Sequence, residues 1–243
     1  MSVFRFKQFN IKQEISAMKV GTDAMLLGSL VRVIEPATIL DVGAGTGVLA
    51  LMMAQRFSEA KIQAIEVDTA SAQEAQYNFD HSPWKDRLKT IEADFLSSNF
   101  EHSFDLIISN PPYYQSRLEN DDPRKSQARH ESALPMKAML EKVANLLTDE
   151  GSFWVIVPAE VCELWIRTAA ASYLECATII SIFGKEGGEM KRTILEFKAH
   201  SVKSLENKPE SRCDSSITIR NTDGSYTDQY IDLTKAFHYN SLK

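Results

Sequence analysis

Four consecutive residues, Asn110-Pro111-Pro112-Tyr113, bring an amide, two prolines and an aromatic ring together directly after the apolar run Phe104 to Ser109. A run of this composition reads as a buried strand. It cannot continue through prolines, which lack a ladder N–H and fix φ. The chain therefore leaves the sheet at Asn110 on a stiff backbone, with amide and ring held close. Such a turn suits the grip of a planar group that carries an exocyclic amino or amide nitrogen. Tyr113 stacks on the plane, while the Asn110 side-chain oxygen and the Pro111 carbonyl accept the two N–H bonds. An aromatic amine is a poor nucleophile because its lone pair is delocalised into the ring. Two acceptors favour a pyramidal nitrogen whose lone pair faces an electrophile, and positioning of this kind is worth up to roughly 7–11 kcal/mol in well-oriented systems. No general base is required, since the alkylated nitrogen becomes cationic and sheds its proton readily.

A second strand-to-loop unit lies upstream, Ile39-Leu40-Asp41-Val42-Gly43-Ala44-Gly45-Thr46-Gly47. Its glycines permit a tight turn and close approach of a ligand to the backbone. The Gly-x-Gly-x-Gly spacing differs from the Gly-x-Gly-x-x-Gly pyrophosphate fingerprint. Asp41 precedes the loop, where it would hold the cationic amino-acid end of a ligand. Both details favour S-adenosylmethionine over a nicotinamide dinucleotide. Glu66 falls about 20 residues beyond the loop, the distance at which an acid grips ribose hydroxyls. Asp68 reads as a helix N-terminal acid. Asp94 is expected to accept from the cofactor's adenine amine, or else to be a solvated turn aspartate.

These residues need a parallel α/β sheet to position them, and residues 38 to 157 alternate strand-sized apolar runs with helical patterns accordingly. Strands are expected at Thr38 to Asp41, Ile62 to Val67, Arg87 to Ile91, Phe104 to Ser109 and Gly151 to Val157. Two closing strands, Cys176 to Phe183 and Arg192 to Ala199, follow. Helices are expected over Gly47 to Arg56, Ala70 to Phe79, Leu134 to Leu147 and Val161 to Ala171. Gly21-Thr22-Asp23 starts a further helix that runs to about Val33. Phe4, Phe6 and Phe9 read as a small aromatic cluster. Gln115 to Ser132 and Ser201 to Ser216 are polar enough to be loops, the first a candidate substrate lid. A short strand at Ile217 to Arg220 and a helix near Tyr230 to Phe237 complete the chain. The domain plan is an N-terminal extension (1–36), a core (37–200) and a C-terminal loop and helix (201–243).

Composition restricts the class. The chain has 243 residues, 44% hydrophobic and 25% charged, which is ordinary for one large globular domain. Cys162, Cys176 and Cys213 are too few and too far apart for a disulfide framework or a zinc site, so reduced thiols and no metal are expected. No signal peptide or membrane-length apolar run is evident, which points to the cytoplasm, and a monomer is expected. The net charge of -6 weighs mildly against nucleic acid. Local basic clusters exist at Arg5, Lys7, Lys12 and Lys19, and at Lys191-Arg192.

The chain resembles the bacterial tRNA(Val) adenine-N(6)-methyltransferases, which act beside the anticodon. The resemblance rests on Phe4-Arg5-Phe6-Lys7-Gln8-Phe9, Met18-Lys19-Val20-Gly21-Thr22-Asp23, Ser82-Pro83-Trp84, Ile107 to Tyr113, Ala128-Arg129-His130 and Lys191-Arg192 with Leu195-Glu196-Phe197. It implies a Rossmann-like class I methyltransferase fold, with a seven-stranded mostly parallel sheet, helices on both faces and a short N-terminal extension. It also implies S-adenosylmethionine as cofactor and tRNA as partner. By resemblance Lys19, Thr22, Asp41, Gly43, Gly45, Gly47, Glu66, Asp94 and Asn110 hold the cofactor. Asn110, Pro111 and Tyr113 serve catalysis, and Pro112, Tyr113, Arg129 and His130 meet the substrate. Lys19 and Arg129 are equally open to reading as solvated charges, and His130 as a loop histidine. Two rivals stand beside this reading: glutamine methylation of a release factor, and non-catalytic cofactor binding by an RNA-associated protein. Release-factor methyltransferases usually carry a helical domain before the glycine loop, for which the residues ahead of position 38 are too few.

Overall fold

A computed structural model describes residues 2–16, 18–111, 124–199 and 212–239. The chain opens with a hairpin, β1 (Val3–Arg5) and β2 (Asn10–Lys12), paired antiparallel. Then follow α1 (Thr22–Leu30), β3 (Thr38–Val42), α2 (Val48–Arg56), β4 (Lys61–Glu66), α3 (Thr69–Asp80), β5 (Leu88–Glu92) and β6 (Phe104–Ser109). The second half comprises α4 (Arg124–Leu146), β7 (Leu147–Pro158), α5 (Cys162–Ala170), β8 (Leu174–Phe183), β9 (Met190–Ala199), β10 (Cys213–Thr218) and α6 (Asp228–Thr234).

The main sheet has the order β10-β8-β9-β7-β6-β3-β4-β5. All neighbours pair parallel except at β9, which runs antiparallel to both β7 and β8. The sheet is thus of the expected mostly parallel kind, with eight strands where seven were expected. The extra strand is β10, which adds to the free edge of β8 and starts earlier than the short strand foreseen at Ile217.

Period-two alternation sends successive side chains to opposite faces, and both faces are buried. Ile39, Leu106, Ile108, Trp154 and Ile156 pack with α1, α2, α3 and α6. Leu40, Ile107, Phe153, Val155 and Val157 pack with α4 and α5. This two-sided burial explains why the strands read as continuous apolar runs. The aromatic cluster also forms, with Phe6 stacked on Phe9 at 4.3 Å and Phe9 edge-on to Trp84 at 5.7 Å. The candidate lid is divided: 115–123 lies outside the described residues, and from Arg124 the backbone is helical rather than a loop.

Register aligns the ends that matter. Val42 pairs with Ser109 on one side and Ile65 on the other, and Glu66 pairs with Glu92. Gly43, Asn110, Glu66 and Ala93 therefore stand at the same carboxyl edge, beside the point where the chain departs from β3 in both directions. Open α/β sheets place ligands at such an edge.

Candidate active site

A cleft of about 510 Å³ opens along this edge, a volume in the range of ordinary ligand sites. Gly43, Ala44, Gly45 and Thr46 form one wall, Glu66, Val67 and Asp68 a second, and Ala93, Asp94 and Phe95 a third; Asn110 stands at one side. Ile15, Met18 and Lys19, from the segment between β2 and α1, lie across it.

The loop after β3 is held in shape by its own N–H groups. Those of Gly43 and Ala44 both reach the Ile65 carbonyl, at 2.9 and 3.2 Å, and that of Gly47 reaches Ala44 at 2.8 Å. The Gly45 N–H donates to Glu66 Oε2 at 2.8 Å. Gly43 and Gly45 sit at φ +72° and +53°, and a Cβ on either would meet nothing within 4 Å. Their missing side chains are the space a ligand would fill.

A pyrophosphate would find this loop hostile. Dinucleotide folds offer it loop N–H groups and a helix N-terminus. Here the N–H groups of Gly43, Ala44, Gly45 and Gly47 are taken, and the Asp41 carboxylate occupies the start of α2, accepting from Ala50 N–H at 3.0 Å. A ligand with ribose hydroxyls and no pyrophosphate fits better. Glu66 accepts from Gly45 and, through Oε1, from Asp68 N–H at 3.0 Å, which leaves lone pairs for hydroxyl donors. The residues present therefore fit S-adenosylmethionine.

The turn after β5 completes the cleft. Asp94 accepts from Leu96 N–H at 3.3 Å and Ser97 N–H at 3.1 Å, so it is at once a turn aspartate and a wall residue. Burial acts to raise its pKa, but these hydrogen bonds and the charge of Lys142 outweigh it and hold the carboxyl below its usual value. Lys142, from α4, donates to the Leu96 and Ser98 carbonyls and lies 5.1 Å from the centre of the Phe95 ring. Phe95 is thereby fixed as an apolar wall. Asp68 caps α3, accepting from Ser71 N–H at 2.8 Å, the role read from sequence.

Several expected contacts fall elsewhere. Asp41 is fully buried behind the loop and outside the cleft lining, and its Oδ2 caps α2 by accepting from Ala50 N–H. Burial pushes its carboxyl pKa up to about 7, despite the Ala50 hydrogen bond and with the help of Glu66's charge. Gly47 is buried too, and a Cβ there would lie 2.5 Å from the Phe79 ring, so this glycine is required for packing against α3. Thr22 is exposed at the start of α1, outside the cleft wall, although Ala24 of the same helix lines it. Pro111 follows Asn110 half-buried. Pro112 and Tyr113 lie outside the described residues, as do the side chains of Arg129 and His130. Among the described residues, no group of three or more His, Cys, Asp or Glu side chains could hold a metal ion, and no helix is long and apolar enough to cross a membrane.

Sequence reasoning missed the apolar lining, Ile15, Met18, Val67 and Phe95. Ile15, Met18 and Val67 are large hydrophobic residues left exposed at 60%, 42% and 67%. Nothing in their local pattern separates them from core residues, because only the third dimension gathers them at one mouth.

The sheet order and the cleft define a class I S-adenosylmethionine-dependent methyltransferase. Residues 15–162 match the family model Methyltransferase small domain. A predicted O-methyltransferase of Agrobacterium tumefaciens shares the fold, with a TM-score of 0.64 at 20% identity over 88% of this chain and 96% of that one. At 38% identity, the tRNA1(Val) (adenine(37)-N6)-methyltransferase of Bacteroides thetaiotaomicron aligns with 97% of this chain and 96% of its own length. The enzyme of that name from Flavobacterium johnsoniae is also 38% identical, over 97% of this chain and 99% of its own. The chain belongs to the tRNA1(Val) (adenine(37)-N6)-methyltransferase family.

Proposed function

We propose that this protein transfers the methyl group of S-adenosylmethionine to the exocyclic amine of an adenine in tRNA, at position 37 of tRNA1(Val). The observation that carries the reading is the place of Asn110. It directly follows β6 at the carboxyl edge of the sheet, on the wall of the cofactor cleft and level with Gly43. Identity of 38% over 97% of the chain to relatives named for this reaction supports it over glutamine methylation or binding alone.

The bound cofactor supplies an electrophilic methyl on a sulfonium. Gly43 and Gly45 would let it approach the backbone, Glu66 would receive its ribose hydroxyls, and Asp94 would accept from its adenine amine beside Phe95. Lys19, a cation on the cleft wall, would pair with its carboxylate end. Asp41 acts from behind the loop by fixing the start of α2. The Asn110 side-chain oxygen and the Pro111 carbonyl accept from the target amine and turn its lone pair towards the methyl. Pro112 and Tyr113 hold the plane of the base, with Arg129 and His130 on the substrate side. The adenine must first be unstacked, at a cost of about 1–3 kcal/mol. The reaction belongs in the cytoplasm with its tRNA, and the enzyme acts as a monomer.

The test is transfer of labelled methyl to total tRNA that lacks the modification, with nucleoside analysis of the product. The expected product is 6-methyladenosine in tRNA1(Val). Asn110→Ala should reduce turnover at least 100-fold while cofactor affinity changes little, because positioning of the amine is lost while the glycine loop, Glu66 and Asp94 remain. Full methylation by this variant would refute the role given to Asn110.

A further inference from the structure

The segment between β2 and α1 crosses the cleft carrying Ile15, Met18 and Lys19 on its wall. Its described residues form no helix or strand there to hold it. Its position is instead set by two side chains of α3, neither of which touches the cleft. Glu74 is 3% exposed, and its Oε1 accepts from the N–H groups of Glu14 and Ile15 at 2.6 and 3.1 Å. Its Oε2 accepts from Ser16 N–H at 2.9 Å. Three successive amides thus converge on one carboxylate in charge-assisted hydrogen bonds, which are stronger than neutral ones.

One turn further along α3, Asn78 closes a second bridge. Its Oδ1 accepts from Lys12 N–H at 2.8 Å, and its Nδ2 donates to the Lys12 and Thr46 carbonyls, each at 2.9 Å. Thr46 belongs to the glycine loop, so Asn78 ties the crossing segment to the cofactor loop itself. Gln13 Oε1, accepting from Val20 N–H at 2.8 Å, folds the segment back on itself before α1. Burial alone would raise the Glu74 pKa, but the Ser16 side chain, together with hydrogen bonds from the Ser16, Glu14 and Ile15 amides, overcomes this and keeps the carboxyl below its usual value. The clip is therefore ionised at neutral pH.

We infer that Glu74 is a positioning residue for the cofactor: its carboxylate clips residues 14–16 across the cleft, so that Ile15 and Met18 form an apolar roof over bound S-adenosylmethionine. This role rests on the assignment of the cleft to that cofactor. It accounts for two large apolar side chains left exposed at the cleft mouth, and for a buried acid on the helix whose first turn, through Ala70 and Ser71, also lines the site.

Glu74→Gln tests it, because the amide keeps the shape of the side chain but puts an N–H₂ where an acceptor is needed. The dissociation constant for S-adenosylhomocysteine, measured calorimetrically, and KM for S-adenosylmethionine should rise about tenfold, with kcat within about twofold of wild type. Ile15→Ala should weaken binding too, and Glu74→Gln should add little in that background, since both remove one roof. A folded Glu74→Gln protein that binds within twofold of wild type would overturn the inference, as would losses that simply add. If the variant does not fold, hydrogen exchange on the wild-type protein decides. The Ile15 and Ser16 amides should exchange at least tenfold more slowly with S-adenosylhomocysteine bound, and unchanged exchange would overturn the role. A wild-type protein that binds no S-adenosylhomocysteine would instead bring down the cofactor assignment itself.

Discussion

Gly43 and Gly47 share a left-handed backbone, at φ +72° and +78°, yet serve different ends. A Cβ on Gly43 would enter the open cleft, whereas one on Gly47 would strike Phe79 and Ala75 of α3. Gly43→Ala should therefore cost about 1–2 kcal/mol of stability from backbone strain, together with a clear loss of cofactor affinity. Gly47→Ala adds overpacking to the same strain and should cost roughly 2–5 kcal/mol. Urea unfolding and calorimetric titration of both variants would show it, and equal stability losses would refute the division. The loop was legible as a ligand loop, but the sequence offers no means of telling a glycine that faces a ligand from one that faces a helix. Asn110 was legible because two prolines force the strand to end there. Asp41 was less legible: an acid beside a glycine loop suits a ligand or a helix cap equally well, and its burial behind the loop against α2 is a tertiary feature.

At the scale of elements, strands and helices followed from their apolar patterns, and the clearest errors lie at ends. Helix α4 begins at Arg124, ten residues before the first apolar residue that announced it, through a polar stretch without periodicity. Ends that depend on distant side chains were not legible. Arg87 reaches the Ala54, Phe57 and Ala60 carbonyls at 2.9, 3.0 and 2.6 Å, closing the carboxyl end of α2 from the turn before β5. This guanidinium satisfies acceptors that the helix leaves open and matches its dipole. Arg87→Ala should lower stability by about 2–3 kcal/mol, read from the urea midpoint. A midpoint unchanged by the substitution would mean that water replaces all three bonds.

For the whole molecule, one buried acid writes a pH dependence into folding. The Asp41 carboxyl titrates near 3.8 when exposed and at about 7 in the fold, where burial disfavours its charged form. Between those values the folded chain binds a proton that the unfolded chain has released. Stability from this group therefore falls as pH rises from about 4 to about 7, by up to about 4 kcal/mol, and is flat outside that window. Asp41→Asn stays neutral and can still accept from Ala50, so its stability should decline less over that interval than that of the wild type. Parallel curves of melting temperature against pH for the two proteins would sink the assignment.

The sequence by itself determined the parallel α/β sheet, the cofactor loop and the strand that must stop at Asn110. Each is dictated within a few residues, by alternation, glycine spacing or proline geometry. Tertiary structure alone decided the register that sets Val42 level with Ser109 and Ile65, the burial of Asp41, and the reach of Glu74 to amides some sixty positions away. Those features depend on which distant groups share a dehydrated space. No local pattern carries that information, because a carboxylate's role is set by the donors and the water around it and not by its neighbours along the chain.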